Sequence, residues 1–102
     1  MKQLSKRIAI IGAGITGLSS AYFIKKQDPS VEVTIFEASN RPGGKIQTYR
    51  EDGYTIELGP ESYLGRKTIM TDLAKDIGLE NDLITNTTGQ SYIFAKNKLY
   101  PI

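Results

Sequence analysis

The sequence predicts an α/β fold built around a parallel β-α-β unit, and three consecutive features carry that prediction. The apolar run at residues 8–11 is typical of a buried parallel strand. A glycine-rich turn, GAGITG at residues 12–17, follows at once and leads into a helical pattern of apolar residues. A second predicted strand, residues 31–36, is then followed by the acidic residue Glu37. This order of elements predicts a Rossmann-like nucleotide-binding unit.

The glycine turn has a physical role in such a unit. Glycines let the backbone turn tightly, approach a pyrophosphate closely and pack the helix against the strand. Backbone N–H groups at the helix start and the positive end of the helix dipole then suit a phosphate without any basic side chain. The residues predicted to bind phosphate are Gly12, Ala13, Gly14, Ile15, Thr16 and Gly17.

The helix and the acid after the second strand complete the nucleotide site. The apolar face of the helix comprises Ile15, Leu18, Ala21, Tyr22 and Ile24, and the pattern ends at QDPS, residues 27–30. Glu37 follows Gly17 by about twenty residues, where this fold places the carboxylate that accepts hydrogen bonds from an adenosine ribose. The same charge would repel a 2′-phosphate, so NADP is the least favoured dinucleotide.

The stretch EASNRPGGK, residues 37–45, decides between NAD and FAD. It resembles the RxGG motif of FAD-dependent amine oxidases, phytoene desaturases and protoporphyrinogen oxidases. The resemblance implies FAD as cofactor and a loop that returns along its pyrophosphate and ribityl chain, formed by Ala38, Arg41, Gly43, Gly44 and Lys45. Lys45 stands where Arg is most often found, so it keeps the charge but lacks the planar fork. A Pro-Gly turn with solvated charges is the alternative interpretation.

A second stretch, ELGPESY at residues 57–63, carries a further resemblance. It is similar to the segment that passes beside the flavin in protoporphyrinogen oxidases, which implies that Gly59, Pro60, Glu61 and Ser62 belong to the cofactor site. In the wider amine-oxidase group the corresponding glycine lies close to the isoalloxazine, where a side chain would obstruct the ring. An ordinary Gly-Pro turn is the alternative.

The rest of the chain carries shorter patterns, which predict two strands, a helix and a hairpin. In chain order these are strands at 46–49 and 54–58 around a turn at 51–53, a helix at 68–77 closed by Gly78, and a hairpin within 92–100 that turns at Lys96 and Asn97.

Composition limits the classes of function. The 102 residues carry a net charge of +2 without a charged run, which suggests neither nucleic acid nor an anionic membrane as partner. Cysteine and histidine are absent from the sequence, so we expect no disulfide, no metal site and no Cys- or His-based nucleophile in it. No apolar run reaches the roughly 20 residues of a spanning helix, and residues 1–7 lack the apolar centre of a signal peptide. We therefore expect a cytoplasmic protein, with peripheral membrane contact through other regions and oligomer formation both left open.

Over its whole length the chain resembles the N-terminal part of bacterial protoporphyrinogen oxidases of the HemY type, particularly those of Gram-positive bacteria. The stretches GAGITGLSSAY and VEVTIFEASNRPGGKIQT are shared across the superfamily, whereas DGYTIELGPESYL, LAKDIGLE and TGQSYIFAKNKLYPI indicate this branch. The resemblance implies FAD-dependent oxidation of a porphyrinogen by molecular oxygen in haem biosynthesis. The implied substrate is coproporphyrinogen III, giving coproporphyrin III, with protoporphyrinogen IX accepted as well.

The resemblance also implies a domain organisation. Residues 1–85 would form the N-terminal part of the FAD-binding domain, and residues 86–102 would begin a substrate-domain hairpin. Because typical domains have about 100–150 residues, the chain is expected to be a truncated piece of a larger enzyme. The catalytic residues stay unknown: Glu61 is the acid expected nearest the ring, and a structural role for it is equally open. Another flavin amine oxidase, a carotenoid desaturase, or a nucleotide-binding module without catalysis are the alternatives.

Overall fold

The structure, a computed structural model, describes residues 6–87 and 89–102. These residues form two compact units, the first ending at Ser62 and the second beginning at Tyr63. Residues 1–5, which belong to the segment analysed for a signal peptide, lie outside the described residues. So does Thr88, which falls in the predicted start of the substrate domain.

The first unit contains the predicted β-α-β motif. Strands β1 (Arg7–Ile11) and β2 (Glu32–Phe36) form a parallel two-stranded sheet, and helix α1 (Ile15–Gln27) connects them. The helix carries Lys25 and Lys26 in its last turn, where cations interact favourably with the helix dipole. The predicted bounds of both strands are confirmed to within one residue.

Among the described residues, only one face of this sheet is covered. Ile10 and its register partner Ile35 are half-buried on the side of α1. On the opposite face Ile11 is 83% exposed, and its register partner Phe36 is 56% exposed. The prediction of a buried first strand is therefore wrong for this chain, because a two-stranded sheet with a helix on one side leaves alternate side chains uncovered.

A hairpin follows the RPGG stretch, residues 41–44. Strands β3 (Thr48–Glu51) and β4 (Tyr54–Glu57) pair antiparallel, and both turn residues, Asp52 and Gly53, have positive φ angles of 50° and 80°. Two successive positive φ angles are typical of the tight turns that suit the twist of a hairpin. The predicted strand at 46–49 starts two residues too early. The reason is that the N–H group of Ile46 donates to the Gly43 carbonyl, which keeps that residue in the preceding loop.

In the second unit, helix α2 (Thr68–Asp76) ends as predicted at a glycine. Gly78 has a φ of +84°, and the N–H group of Leu79 donates to the carbonyl of Ala74 at 2.7 Å. This is the Schellman arrangement, which satisfies carbonyls at the end of a helix. A short 3₁₀ turn, Glu80–Asp82, comes next and was not predicted.

The second unit also contains the predicted terminal hairpin. Strands β5 (Tyr92–Ala95) and β6 (Lys98–Pro101) pair antiparallel around Lys96 and Asn97, whose φ angles are 48° and 57°. The prediction of this turn is confirmed. Within the described part of the chain, no helix has the length and apolar character that crossing a membrane requires.

Candidate functional site

The glycine turn is held in shape by its own backbone. Gly12 adopts a φ of +98°, which favours glycine, and its N–H group donates to the Phe36 carbonyl at 2.7 Å. A Cβ atom at Gly17 would clash with the carbonyl oxygen of Gly12, so the helix can pack this closely only with glycine there. The turn is thereby tied to the carboxyl end of β2.

Glu37 links the two strand ends directly. Its Oε1 atom accepts a hydrogen bond from the Ala13 N–H group at 2.9 Å, and its Oε2 atom accepts one from the Ser39 N–H group at 2.7 Å. These donors stabilise the charged form and lower the pKa of Glu37 to about 2, with Ala13 contributing most and Ser39 next. The carboxylate is therefore ionised at neutral pH and fixed beside the glycine turn.

Several N–H groups at the start of α1 are, unlike that of Ala13, without a partner among the described residues. Gly14 precedes α1 without any side-chain cap, and the first bond into the helix is donated by Leu18 to the Gly14 carbonyl at 3.0 Å. Among the described residues, the N–H groups of Gly14, Thr16 and Gly17 have no hydrogen-bond partner. They form a cluster of donors at the positive end of a helix dipole, the arrangement that binds phosphate.

The RPGG stretch lies directly against the glycine turn. The N–H group of Gly43 donates to the Ala13 carbonyl at 2.7 Å, and Gly14 and Gly43 form an isolated parallel bridge. A Cβ atom at Gly44 would stand 3.1 Å from the Gly14 Cα, tighter than ordinary packing. Two glycine-containing backbones thus meet at one point, and a side chain at Gly44 would push them apart.

The guanidinium of Arg41 turns into its own loop. It donates to three carbonyls, those of Pro42 at 3.1 Å, Gly44 at 2.9 Å and Ile46 at 3.4 Å. The predicted role of Arg41 as a positive charge beside a phosphate stays a prediction.

Gly59 has a definite steric reason to be glycine in this structure. A Cβ atom there would clash with the carbonyl oxygen of Lys45, so the ELGPESY stretch crosses the RPGG loop at backbone contact. The predicted closeness of Gly59 to the isoalloxazine is not tested by this contact. Gly59 is nevertheless brought to the same region as Gly43 and Gly44.

Most of the other predicted site residues have side chains that lie at the surface. Ala13 is buried and Ile15 and Thr16 occupy the exposed first positions of α1, whereas Ala38, Lys45, Pro60, Glu61 and Ser62 are exposed side chains. The sequence interpretation missed Ser39, whose hydroxyl also donates to the Arg41 carbonyl at 2.9 Å. A serine two residues after an acid and two before an arginine is a turn-forming pattern that could have indicated it.

Comparison with known proteins identifies the family. The sequence pattern described as flavin containing amine oxidoreductase matches residues 15–101. The chain belongs to this family. The cofactor expected of it, FAD, and the α/β class of its N-terminal region are thereby confirmed.

Individual relatives indicate a narrower group of proteins than the family does. The chain is 84% identical over 99 residues to the coproporphyrinogen III oxidase of Staphylococcus aureus, covering 97% of this chain and 21% of that protein. It is 48% identical over 106 residues to the Bacillus subtilis protein of the same name, covering 100% of this chain and 23% of the relative. Both of these relatives support the resemblance to the Gram-positive branch.

A solved structure agrees with this placement. The crystal structure of a protein provisionally named protoporphyrinogen oxidase, from Exiguobacterium sp. 255-15, superposes with a TM-score of 0.84 and 49% sequence identity. The match covers 98% of this chain and 22% of that one. The chain therefore spans about a fifth of the length of the relatives it matches.

Proposed function

We propose that the full-length protein is an FAD-dependent porphyrinogen oxidase that converts coproporphyrinogen III to coproporphyrin III in haem biosynthesis. The observation that supports this most strongly is the 84% identity to the Staphylococcus aureus protein of that name. The Bacillus subtilis relative has diverged much further and carries the same name. The name of the Exiguobacterium structure supports protoporphyrinogen IX as a second substrate.

In this proposal the first unit holds the adenosine and pyrophosphate half of FAD. Each oxygen of the Glu37 carboxylate accepts one backbone N–H group, which leaves a lone pair on each for a ribose hydroxyl. The unpartnered N–H groups of Gly14, Thr16 and Gly17 would receive the pyrophosphate. A side chain at Gly14 would enter the space proposed for the pyrophosphate. These residues therefore fit the dinucleotide they are proposed to bind.

The same proposal extends to the flanking positions. Together with the glycine turn and Glu37, it includes Ala38, Arg41, Gly43, Gly44, Lys45, Gly59, Pro60, Glu61 and Ser62. Residues 1–85 would belong to the FAD-binding domain, and residues 86–102 would begin the substrate domain. A cytoplasmic location and oxygen as the electron acceptor complete the proposal.

The chemistry that FAD supplies when bound is acceptance of a hydride from a carbon of the reduced macrocycle. This chain's own residues contribute binding and orientation. Glu37 would fix the adenosine end, and the amides of the glycine turn would fix the pyrophosphate, which sets the direction in which the rest of the cofactor extends. The glycines at 44 and 59 permit backbone contact where side chains would intrude.

Porphyrin fluorescence tests the proposal directly. The purified full-length protein would be mixed with coproporphyrinogen III or protoporphyrinogen IX in aerated and in oxygen-free buffer. We expect fluorescent porphyrin to form in aerated buffer, faster from coproporphyrinogen III. If neither substrate yields porphyrin but an amine or an L-amino acid bleaches the flavin absorbance, the protein is a different oxidase of this family.

A further inference from the structure

The RPGG loop is here the backbone that follows Arg41, residues 42–46. Its carbonyl groups are all turned towards protein atoms. Those of Pro42, Gly44 and Ile46 accept hydrogen bonds from the Arg41 guanidinium. The carbonyl of Gly43 accepts from the Ile46 N–H group at 3.1 Å. The fifth, that of Lys45, lies against the backbone of Gly59.

Arg41 occupies the interior of this loop. A Cβ atom at Gly43 would stand 3.0 Å from the Arg41 Nη1 atom and 3.0 Å from the Ile46 carbonyl oxygen. Gly43 also has a φ of +115°, so the backbone is curled around the guanidinium in a conformation that favours glycine. The planar fork of Arg can reach several acceptors at once, whereas the single ammonium of Lys cannot reproduce that geometry.

The N–H groups of the loop, unlike its carbonyls, are only partly engaged by protein atoms. That of Gly43 is bonded to the Ala13 carbonyl and fastens the loop to the glycine turn. Those of Gly44 and Lys45 have no hydrogen-bond partner within the described residues. With its carbonyl oxygens engaged by protein atoms, the loop keeps two N–H donors for an anion, and one of the two residues that carry them, Gly44, lies next to Gly14.

We infer that Arg41 is a positioning residue, which orders the RPGG loop by withdrawing its carbonyls instead of contacting the cofactor's phosphates itself. The inference rests on the proposed FAD site and assigns Arg41 an indirect part in it. This indirect role and direct contact with a phosphate predict different salt dependences of FAD affinity. A charge that contacts phosphate makes FAD affinity depend on salt, whereas a guanidinium that only orders the loop contributes nothing to that dependence.

The first experiment measures FAD affinity in the full-length protein at two ionic strengths. The variants are Arg41→Lys, Arg41→Met and the matched control Arg50→Met, which removes an exposed arginine of β3. We expect both Arg41 variants to bind FAD about tenfold or more weakly, with the salt dependence of the wild type. We expect the control to match the wild type. If Arg41→Met weakens the salt dependence of FAD affinity, or if Arg41→Lys keeps wild-type affinity, Arg41 acts as a direct charge and the inference is wrong.

The second experiment follows hydrogen exchange in the apo-protein and needs no cofactor. We expect the amides of Gly43 and Ile46, the two that are hydrogen-bonded in this loop, to exchange faster in both Arg41 variants, with exchange in the β5–β6 hairpin unchanged as evidence that the variants fold. Unchanged exchange at Gly43 and Ile46 would overturn the inference. If the wild type fails to bind FAD, the proposed function fails, while this measurement still decides the role of Arg41.

Discussion

The Glu37 carboxylate and the Ala13 N–H group are joined by a hydrogen bond of 2.9 Å across 24 positions of sequence. The bond connects the end of β2 to the glycine turn after β1, and Ala13 itself is 4% exposed. Glu37 therefore has a structural task within the protein in addition to the ribose contact proposed for it. The two tasks can be separated by measuring the stability of the apo-protein and FAD affinity independently.

The structural role of Glu37 predicts that the free energy of unfolding depends on pH. The pKa of Glu37 falls from its ordinary value of 4.5 to about 2 on folding, so the unfolded chain binds more protons between these values. The contribution of Glu37 to the free energy of unfolding is then fully present above pH 4.5 and is lost as the pH falls through about 2.

Thermal unfolding of the apo-protein and of its Glu37→Gln variant at several pH values tests this dependence. We expect the wild type to exceed the variant in Tm near neutral pH and the difference to shrink steadily below pH 4.5. A difference that stays constant down to pH 2 would show that the carboxylate is not stabilised by folding.

The ligand task predicts a selective loss of affinity. Glu37→Ala removes the proposed acceptor of the ribose hydroxyls, so FAD should bind about tenfold or more weakly. Turnover at saturating FAD should change little, because Glu37 lies at the adenosine end of the proposed site. Equilibrium titration with FAD and steady-state assays measure the two quantities. A large fall in turnover with unchanged affinity would contradict this role.

The β-α-β unit was predictable because its signals are local. Apolar periodicity, the glycines and the position of Glu37 fixed the order of its elements and nearly all of their bounds. The terminal hairpin was predictable for the same reason, even though its turn residues are Lys96 and Asn97 instead of glycine.

Two predictions were wrong, the start of β3 and the burial of β1, because both depend on contacts between residues that are distant in sequence. β3 starts at Thr48 because residues 42–46 are held by Arg41, Gly43 and Gly59, and no local pattern announces those contacts. The exposed face of β1 likewise depends on what lies beside the sheet. Within the candidate site, the sequence predicted Glu37 and Arg41 as site residues, and their hydrogen-bond partners became visible only in the fold.

Two glycines of the turn should respond differently to alanine. A Cβ atom at Gly14 would lie 4.0 Å from the Gly44 Cα, an ordinary contact, and the φ of Gly14 is −77°. A Cβ atom at Gly17 would clash with the Gly12 carbonyl. We therefore expect Gly14→Ala to keep the Tm of the apo-protein and to lose FAD affinity, since the methyl group enters the proposed pyrophosphate site. Gly17→Ala should lower the Tm itself. Equal Tm losses in both variants would contradict this separation.

Gly59 and Gly65 provide a matched pair for the second glycine contact. A Cβ atom at Gly59 would clash with the Lys45 carbonyl, whereas one at Gly65 would meet no atom within 4 Å, and neither glycine has a positive φ. We expect Gly59→Ala to lower the free energy of unfolding of the full-length apo-protein by about 1–3 kcal/mol, because two backbones must move apart. Gly65→Ala should be neutral or slightly stabilising, since it only reduces the freedom of the unfolded chain. Denaturant titration of both variants measures the difference. If Gly59→Ala is as stable as Gly65→Ala and also retains FAD, the backbone contact between residues 59 and 45 does not constrain the fold, and glycine at this position has no structural or cofactor-related requirement.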